Sequence, residues 1–442
     1  MATKDELKSA VCREIENHSA QIMDVCQTVL GHPEPGFKEN KTAALVATKF
    51  TELGIPCRDR LAITGVKGML KSRQGRPVVA VLGELDSLVV PDHPHADPAT
   101  GAAHACGHNA QIAMLIGVAT ALAGSGVMTQ LDGGVSLIAV PAEEYIEIEF
   151  RQGLRKDGRI CYLGGKAEMI RTGEFDDIDL AMMTHTANLP KGKKLNIGGT
   201  SNGTVAKQFQ FIGKGAHAGG APHLGVNALN AATIALVAIH AQRETFKDSD
   251  TVRVHPIITS GGQAVNIVPA DVRMETYVRG KTLDAIKDAN SKVDRALKAG
   301  AMAVGAKVRI VTLPGYLPMQ NNRLLQQVYR QNAVRVLGRG KILPGGHGTG
   351  STDMGDVSHI MPAIHPMIGG ITGTSHGSDY LVADPQLAVI APAKIMAMTV
   401  VDLLADGAEK AKEILSSGKP AMTKAEYLAL MDGFFRDETF QG

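Results

Sequence analysis

The chain has 442 residues, 44% of them hydrophobic and 20% charged, with acids and bases nearly balanced at a net charge of +2. That length exceeds one ordinary core and predicts two or three domains. The charge balance excludes any electrostatic reason to expect nucleic acid or an anionic membrane as partner.

The N-terminus, "MATKDELKSAVCREIENHS", is charged throughout and lacks the apolar core of a signal peptide. The first ~55 residues read as two helices. The first carries Met23, Cys26, Val29 and Leu30 at helical spacing and is broken by the prolines of "HPEPGF". The second runs from Lys41 to Leu53 and stops at Gly54. A buried strand "RPVVAVLGELDSL", a buried helix "QIAMLIGVATALAG", a strand "GGVSLIAVPAEE", a helix near Lys166–Thr172 and a strand "FDDIDLAMMTHTA" follow. Strands alternating with helices indicate α/β organisation. The apolar run "AMLIGVATALAG" is short of the roughly 20 residues that span a bilayer.

From Gly203 the pattern changes. A strand "TVAKQFQFIGKG" precedes a helix over Val226–Glu244, the strands "TVRVHPIITSGG" and "ADVRMETYVRG", a helix Leu283–Val304 and a strand "KVRIVTL". That β-α-β-β-α-β order is ferredoxin-like and predicts an inserted domain over 201–315. It divides a larger domain into 1–200 and 316–442, resuming with the helix "NRLLQQVYRQNAVRVLG". Five scattered cysteines, Cys12, Cys26, Cys57, Cys106 and Cys161, read as reduced thiols of a cytoplasmic protein.

Acids and imidazoles collect after strands: Asp86, the pair Glu143 and Glu144, His185 and His376. Open α/β sheets bind ligands outside the carboxyl ends of their strands. In "AAHACGHNAQIA", Cys106 stands between His104 and His108 just before a helix, whose N-terminus favours a thiolate. Cys106 as a nucleophile paired with His108 is poorly placed for in-line proton transfer, whereas both can converge on a metal. Cys, His and Glu together are the ligand types of zinc-like ions. Of two adjacent glutamates, one can bind metal while its neighbour takes a proton from the water that the metal activates.

"HACGHN", "PAEE", "GKGAHAGGAP", "NIVP" and "TSHGSD", in this order between Ile22 and Leu404, resemble the co-catalytic metallopeptidases of the carboxypeptidase G and aminoacylase type. The branch is that of auxin-conjugate hydrolases, aminobenzoyl-glutamate hydrolases and related β-alanyl dipeptidases. The resemblance implies a zinc-peptidase-like catalytic domain with a central mixed sheet, and an inserted ferredoxin-like lid or dimerisation domain. It implies two divalent ions, Zn or Mn, held by Cys106, His108, Glu144, His185 and His376, with the Cys106 thiolate bridging. Glu143 becomes the general base, Asp86 the acid that orients a ligand, and His217 the oxyanion donor, acting across a homodimer. Asn266 and Arg279 are assigned to a substrate carboxylate or carbonyl; Arg279 equally suits a structural strand role. His104 is not a ligand in that family. The activity implied is hydrolysis of the amide of an N-acyl or N-aroyl amino acid. The alternatives are a dipeptidase needing a free amino terminus and a non-catalytic binding protein of the same fold.

Three departures stand out. "ELDSLVV" replaces the usual Asp-x-Asp-Ala-Leu-Pro, so that Glu84 comes first. "HPHADPAT" precedes the cysteine motif, and Tyr145–Arg159 stands where relatives carry a short glycine-rich link. The last two are expected to shape the pocket mouth and substrate choice.

Overall fold

A computed structural model describes residues 2–71 and 75–442. The chain divides into two compact units, one of Met1–Thr200, Gln320–Gly346 and Asp356–Thr423, the other of Ser201–Met319, His347–Gly355 and Lys424–Gly442.

The first unit is built on a six-stranded mixed sheet in the order Cys57–Leu61, Gly65–Lys71, Gly134–Val140, Val78–Glu84, Leu180–Met182, Ala363–Ile364. The last four are mutually parallel, and the first two add an antiparallel edge. Val78–Glu84 and Gly134–Val140 are buried at every residue, which is why they read as unbroken apolar runs and not as alternation. Helix His108–Gly124 is apolar on all sides for the same reason, and its residues from His108 to Leu122 are all buried.

The N-terminal region holds three helices where two were expected: Lys4–Asn17, Ser19–Leu30 and Asn40–Glu52. Thr3 and Glu6 form a capping box that starts the first, and non-helical His18 separates it from the second. The strands Cys57–Leu61 and Gly65–Lys71 escaped the periodicity because the first is mostly exposed and polar. The stretch Gln386–Leu404 is long and apolar enough to cross a membrane by length and composition, but 83% of its window is buried in this core.

The second unit has an antiparallel sheet in the order Arg253–Val254, Asp271–Gly280, Gly203–Ile212, Lys307–Tyr316, Arg436–Phe440, with Ile257–Ser260 also paired to Asp271–Gly280. Helices Ala228–Ala241 and Leu283–Val304 pack with it into one apolar cluster. The expected β-α-β-β-α-β order is present. The bounds differ from 201–315: residues 316–319, His347–Gly355 and Lys424–Gly442 also belong here and not with the rest of 316–442. Strand Arg436–Phe440 pairs with Lys307–Tyr316 and so closes that edge of the sheet. Helix Leu283–Val304 has the predicted bounds, since Thr282 caps its start and left-handed Gly305 ends it.

Lys207 breaks the alternation of strand Gly203–Ile212 on its inward face and is fully buried. Its Nζ lies 2.6 Å from Asp294 Oδ1 and donates to Asn290 and Thr312. Removing one partner of a buried pair strands the other charge, at about 3–5 kcal/mol. Asp294→Ala is therefore expected to lower the urea-unfolding stability of this unit by about that amount, with much of the loss recovered in Lys207→Met/Asp294→Leu.

Candidate metal centre

The four parallel strands deliver the site. Val78–Glu84 runs into Leu85 and Asp86, Gly134–Val140 into Glu143 and Glu144, Leu180–Met182 into His185, and Ala363–Ile364 into His365. Strand Leu88–Val89 pairs with Ala102–Ala103, which carries the chain back from Asp86 to Cys106. Gly107 then turns into helix His108–Gly124 with φ +87°, and any Cβ there would meet the Thr186 and Tyr380 hydroxyls. Glycine in "CGH" is thus a requirement of packing as well as of conformation. The His376 backbone N–H donates to Ala105 O, joining the late loop to the cysteine loop.

Two ligand sets share one atom. Sγ of Cys106 lies with nitrogens of His108 and His185 in one group whose atoms all fall within 4.8 Å of one another, and with Glu144 and His376 in a second. His185 Nε2 is 3.4 Å from Cys106 Sγ, and His376 Nε2 is 3.4 Å from Glu144 Oε1. His108 Nε2 and Glu144 Oε1 are buried without a hydrogen-bond partner. Polar atoms so placed are costly unless something else satisfies them. The donor set fits a divalent metal pair with a shared thiolate.

Neighbours fix the ligands. His108 Nδ1 donates to Asp86 O at 2.8 Å and lies 3.2 Å from Asp86 Oδ1, which leaves Nε2 facing Glu84 and Glu143. Asp86 Oδ2 accepts the Glu144 backbone N–H at 2.8 Å, tying two ligand loops together. His185 Nδ1 donates to Thr186 O, leaving Nε2 toward Cys106. Tyr380 bonds Thr186 through its hydroxyl at 2.6 Å, and His93 Nε2 donates to Tyr380 O at 2.7 Å. His93 belongs to "HPHADPAT", so this segment supports the His376 loop from behind.

Electrostatics reflect the buried negative charge of the site. Burial alone would lower His108, but Glu84 and Cys106 outweigh it and hold the ring well above the ordinary imidazole range, with a proton that a bound cation would displace. Burial, then Glu144 beside it, pushes the Cys106 thiol well up, so the thiolate requires a cation. Burial lowers His185 to about 4 and keeps its ring neutral, as a ligand must be. Burial also lowers His104 to about 3, but its ring belongs to neither ligand set.

Sequence reasoning missed Glu84, Lys166, Gln111 and His365. Glu84 is fully buried, its Oε1 2.6 Å from Lys166 Nζ and its Oε2 accepting from Gln111 at 2.8 Å. Oε2 also lies 3.1 Å from His108 Nε2, without hydrogen-bonding alignment. Burial alone would raise the Glu84 carboxyl, but Lys166 and the histidines outweigh it and hold it well below the usual range. The available signal was its spacing: Glu84 ends a strand two residues before Asp86, and both approach His108. His365 packs its ring against His185 at 5.9 Å between centroids, and burial lowers it to about 3.

His217, Asn266 and Arg279 all lie in the second unit. His217 and Asn266 are neighbours, through the Ala218 N–H to Asn266 O bond and a bridge between His217 and Ile267. His217 Nδ1 accepts from the N–H groups of Gly219 and Gly220 at 3.2 and 2.9 Å, so its proton sits on Nε2. Arg279 is near the far end of strand Asp271–Gly280, about 27 Å from the strand's start at ~3.4 Å per residue, whereas Asn266 lies before that start. Its guanidinium lies over the Tyr277 ring. One small group cannot touch both Asn266 and Arg279 within this unit.

Comparison with known proteins agrees with this architecture. Residues 199–303 match the M20 peptidase dimerisation domain. The chain is 31% identical over 345 residues to a Xaa-Arg dipeptidase of Mus musculus, covering 74% of this chain and 70% of the relative. It is 26% identical over 385 residues to the IAA-amino acid hydrolase ILR1-like 6 of Arabidopsis thaliana, covering 84% and 76%. Among solved structures, the Bacillus subtilis YXEP protein, described as a dinuclear metal binding peptidase from the M20 family, superposes with a TM-score of 0.65 at 21% identity. That match covers 88% of this chain and 99% of the other.

Sharing of Sγ makes a specific prediction. Cys106→Ala is expected to lose both ions, whereas His185→Ala should lose one; elemental analysis after desalting counts them. Two ions per chain in Cys106→Ala would show that the sets do not share the thiolate.

Proposed function

The chain belongs to the M20 peptidase family of amide-bond hydrolases, and from that premise we propose that it is a dinuclear enzyme releasing an amino acid with a free carboxylate from a small amide, a dipeptide first. The observation that carries the dinuclear reading is the Cys106 thiol common to two ligand sets, with Glu143 3.9 Å from His108. The dipeptide preference rests on the 31% identity to a Xaa-Arg dipeptidase. A second reading, an N-acyl amino acid as substrate, is supported by the longer but weaker match to an IAA-amino acid hydrolase.

Cys106, His108 and His185 would hold one ion, and Cys106, Glu144 and His376 the other. When bound, the ions supply Lewis-acid activation of water and of the amide carbonyl; zinc suits the thiolate, and manganese the carboxylate and imidazoles. Glu143, which also stands with Glu84 and His108 in a third candidate group, is assigned to move protons, as the family resemblance implies. It takes one from the attacking water as the new C–O bond forms, and passes it to the leaving nitrogen as the C–N bond breaks. The products are a carboxylic acid and an amine. Asp86 acts on the imidazole of His108 and the backbone of Glu144. His217, with its proton on Nε2, is a suitable donor to the oxygen on which charge develops.

A homodimer through the second unit is part of the proposal. The dimerisation-domain match supports it, as do exposed Ile257 and Ile258 on the free-edge strand and Ile234 and Val237 on helix Ala228–Ala241. Small-molecule substrates suit the balanced charge, and five free cysteines support a reducing, cytoplasmic setting.

Paired substrates test the reading: dipeptides ending in a basic residue, and the same compounds N-acylated, incubated with Zn²⁺- or Mn²⁺-loaded protein. Turnover of the free dipeptides is expected. Turnover of the acylated partners alone favours the second reading, and none with both ions bound favours a non-catalytic binding protein. Glu143→Gln should keep its metal and lose about a hundred-fold or more in kcat, the scale of a general base. Glu144→Gln should weaken metal binding first; added metal restoring Glu143→Gln instead would reverse the two roles. For His217, inactive Glu143→Gln and His217→Ala chains are refolded as a mixture. Random pairing makes about half the dimers mixed, so about a quarter of all sites should recover if His217 acts across the dimer. No recovery despite demonstrated mixing excludes that arrangement.

A further inference from the structure

The segment Tyr145–Arg159 contains a helix, Ile148–Lys156, whose buried face is Ile148, Arg151 and Leu154. Leu154 packs with Phe37, Ala142 and Ile160. Arg151 is fully buried, and among the described residues its hydrogen bonds go to main-chain carbonyls, not to a carboxylate. Nη1 donates to Leu163 O at 2.8 Å and Ala142 O at 3.4 Å, and Nη2 to Glu144 O. The guanidinium also lies over the Phe37 ring, 5.3 Å from its centroid. Any Cβ at Gly36 would strike that guanidinium and Ala142, so the glycine of "HPEPGF" is there to admit it.

Two of these carbonyls flank Glu143. The loop is strained at Ala142, a non-glycine residue with φ +53°, and its N–H is held from the other side by buried Glu39 at 2.7 Å. An outward-held main chain at 142 and 144 fixes the directions of the Glu143 and Glu144 side chains. A planar guanidinium with several donors in fixed geometry suits this better than an ammonium. We propose that Arg151 is a positioning residue, which through the carbonyls of Ala142 and Glu144 sets both carboxylates of the metal centre. The proposal rests on the roles given above to Glu143 and Glu144, and it gives the segment a part in the chemistry in place of the substrate choice expected from its sequence position.

The test compares Arg151→Met, which keeps the stem and removes the donors, with Leu154→Ala, which loosens the same helix by packing alone. Metal-free proteins are titrated with Zn²⁺ against a chromophoric chelator, and kcat and KM are measured at saturating Zn²⁺ on the best substrate of wild type. Supporting residues around metal ligands typically contribute about 10–100-fold in affinity or activity. Arg151→Met should therefore weaken one of the two stepwise affinities by about tenfold or more and leave the other near wild type. Its kcat should fall by about tenfold or more with KM within about twofold. Leu154→Ala should lower the melting temperature and leave both affinities in place. Arg151→Met and Leu154→Ala behaving alike, or Arg151→Met matching wild type in both affinities and kcat, would overturn the proposal. Should Arg151→Met not fold, Arg151→Lys decides by the same two readouts. If wild type hydrolyses no amide, the proposed activity fails and the metal titration still judges Arg151.

Discussion

Four acidic side chains, Glu84, Asp86, Glu143 and Glu144, are buried together at the carboxyl end of one sheet, with the Cys106 thiol among them. Like charges in a low-dielectric interior repel, and each loses its hydration. The fold answers them one at a time. Lys166 pairs with Glu84, His108 and the Glu144 backbone with Asp86, and cations shared through Cys106 are the remaining answer that the ligand sets allow. Without that convergence of charge, the buried lysine and the unpartnered His108 and Glu144 atoms have no evident purpose.

Holding such a cluster requires stiff loops, and the supports come from places with little sequence signal. Asp86 joins the cysteine and glutamate loops. His93 and Tyr380 brace the loop of His376. Arg151 holds the carbonyls of Ala142 and Glu144, and Glu39 the N–H of Ala142, in the Glu143–Glu144 loop. Each bonds to backbone as well as or instead of a ligand side chain, which positions a ligand without competing for the metal.

The second unit obeys a different economy. Its core is small-residue and aliphatic, crossed by one buried charge pair between Lys207 and Asp294. The C-terminal strand covers one edge of its sheet and leaves the other edge, with Ile257 and Ile258, open to a partner. A chain end that returns to an inserted domain is invisible to periodicity, because strand pairing over more than a hundred residues leaves no local trace.

The sequence by itself determined the α/β class, the inserted β-α-β-β-α-β unit, the bounds of helix Leu283–Val304, and the family. It also pointed to the candidate ligands, through the family resemblance and through Asp86, Glu143, Glu144 and His185 following parallel strands that end at one edge. Their local order is a property of the chain, set by propensity, caps and alternation. Tertiary structure alone decided that Glu84 lies beside His108 on Lys166 and that His365 lies against His185. It separated Arg279, near the far end of strand Asp271–Gly280, from Asn266, which precedes that strand, and it placed Arg151, in a segment expected at the pocket mouth, in the interior. These depend on which side chains meet across the sheet and at what distance, and electrostatics and packing act through that distance, not through position along the chain.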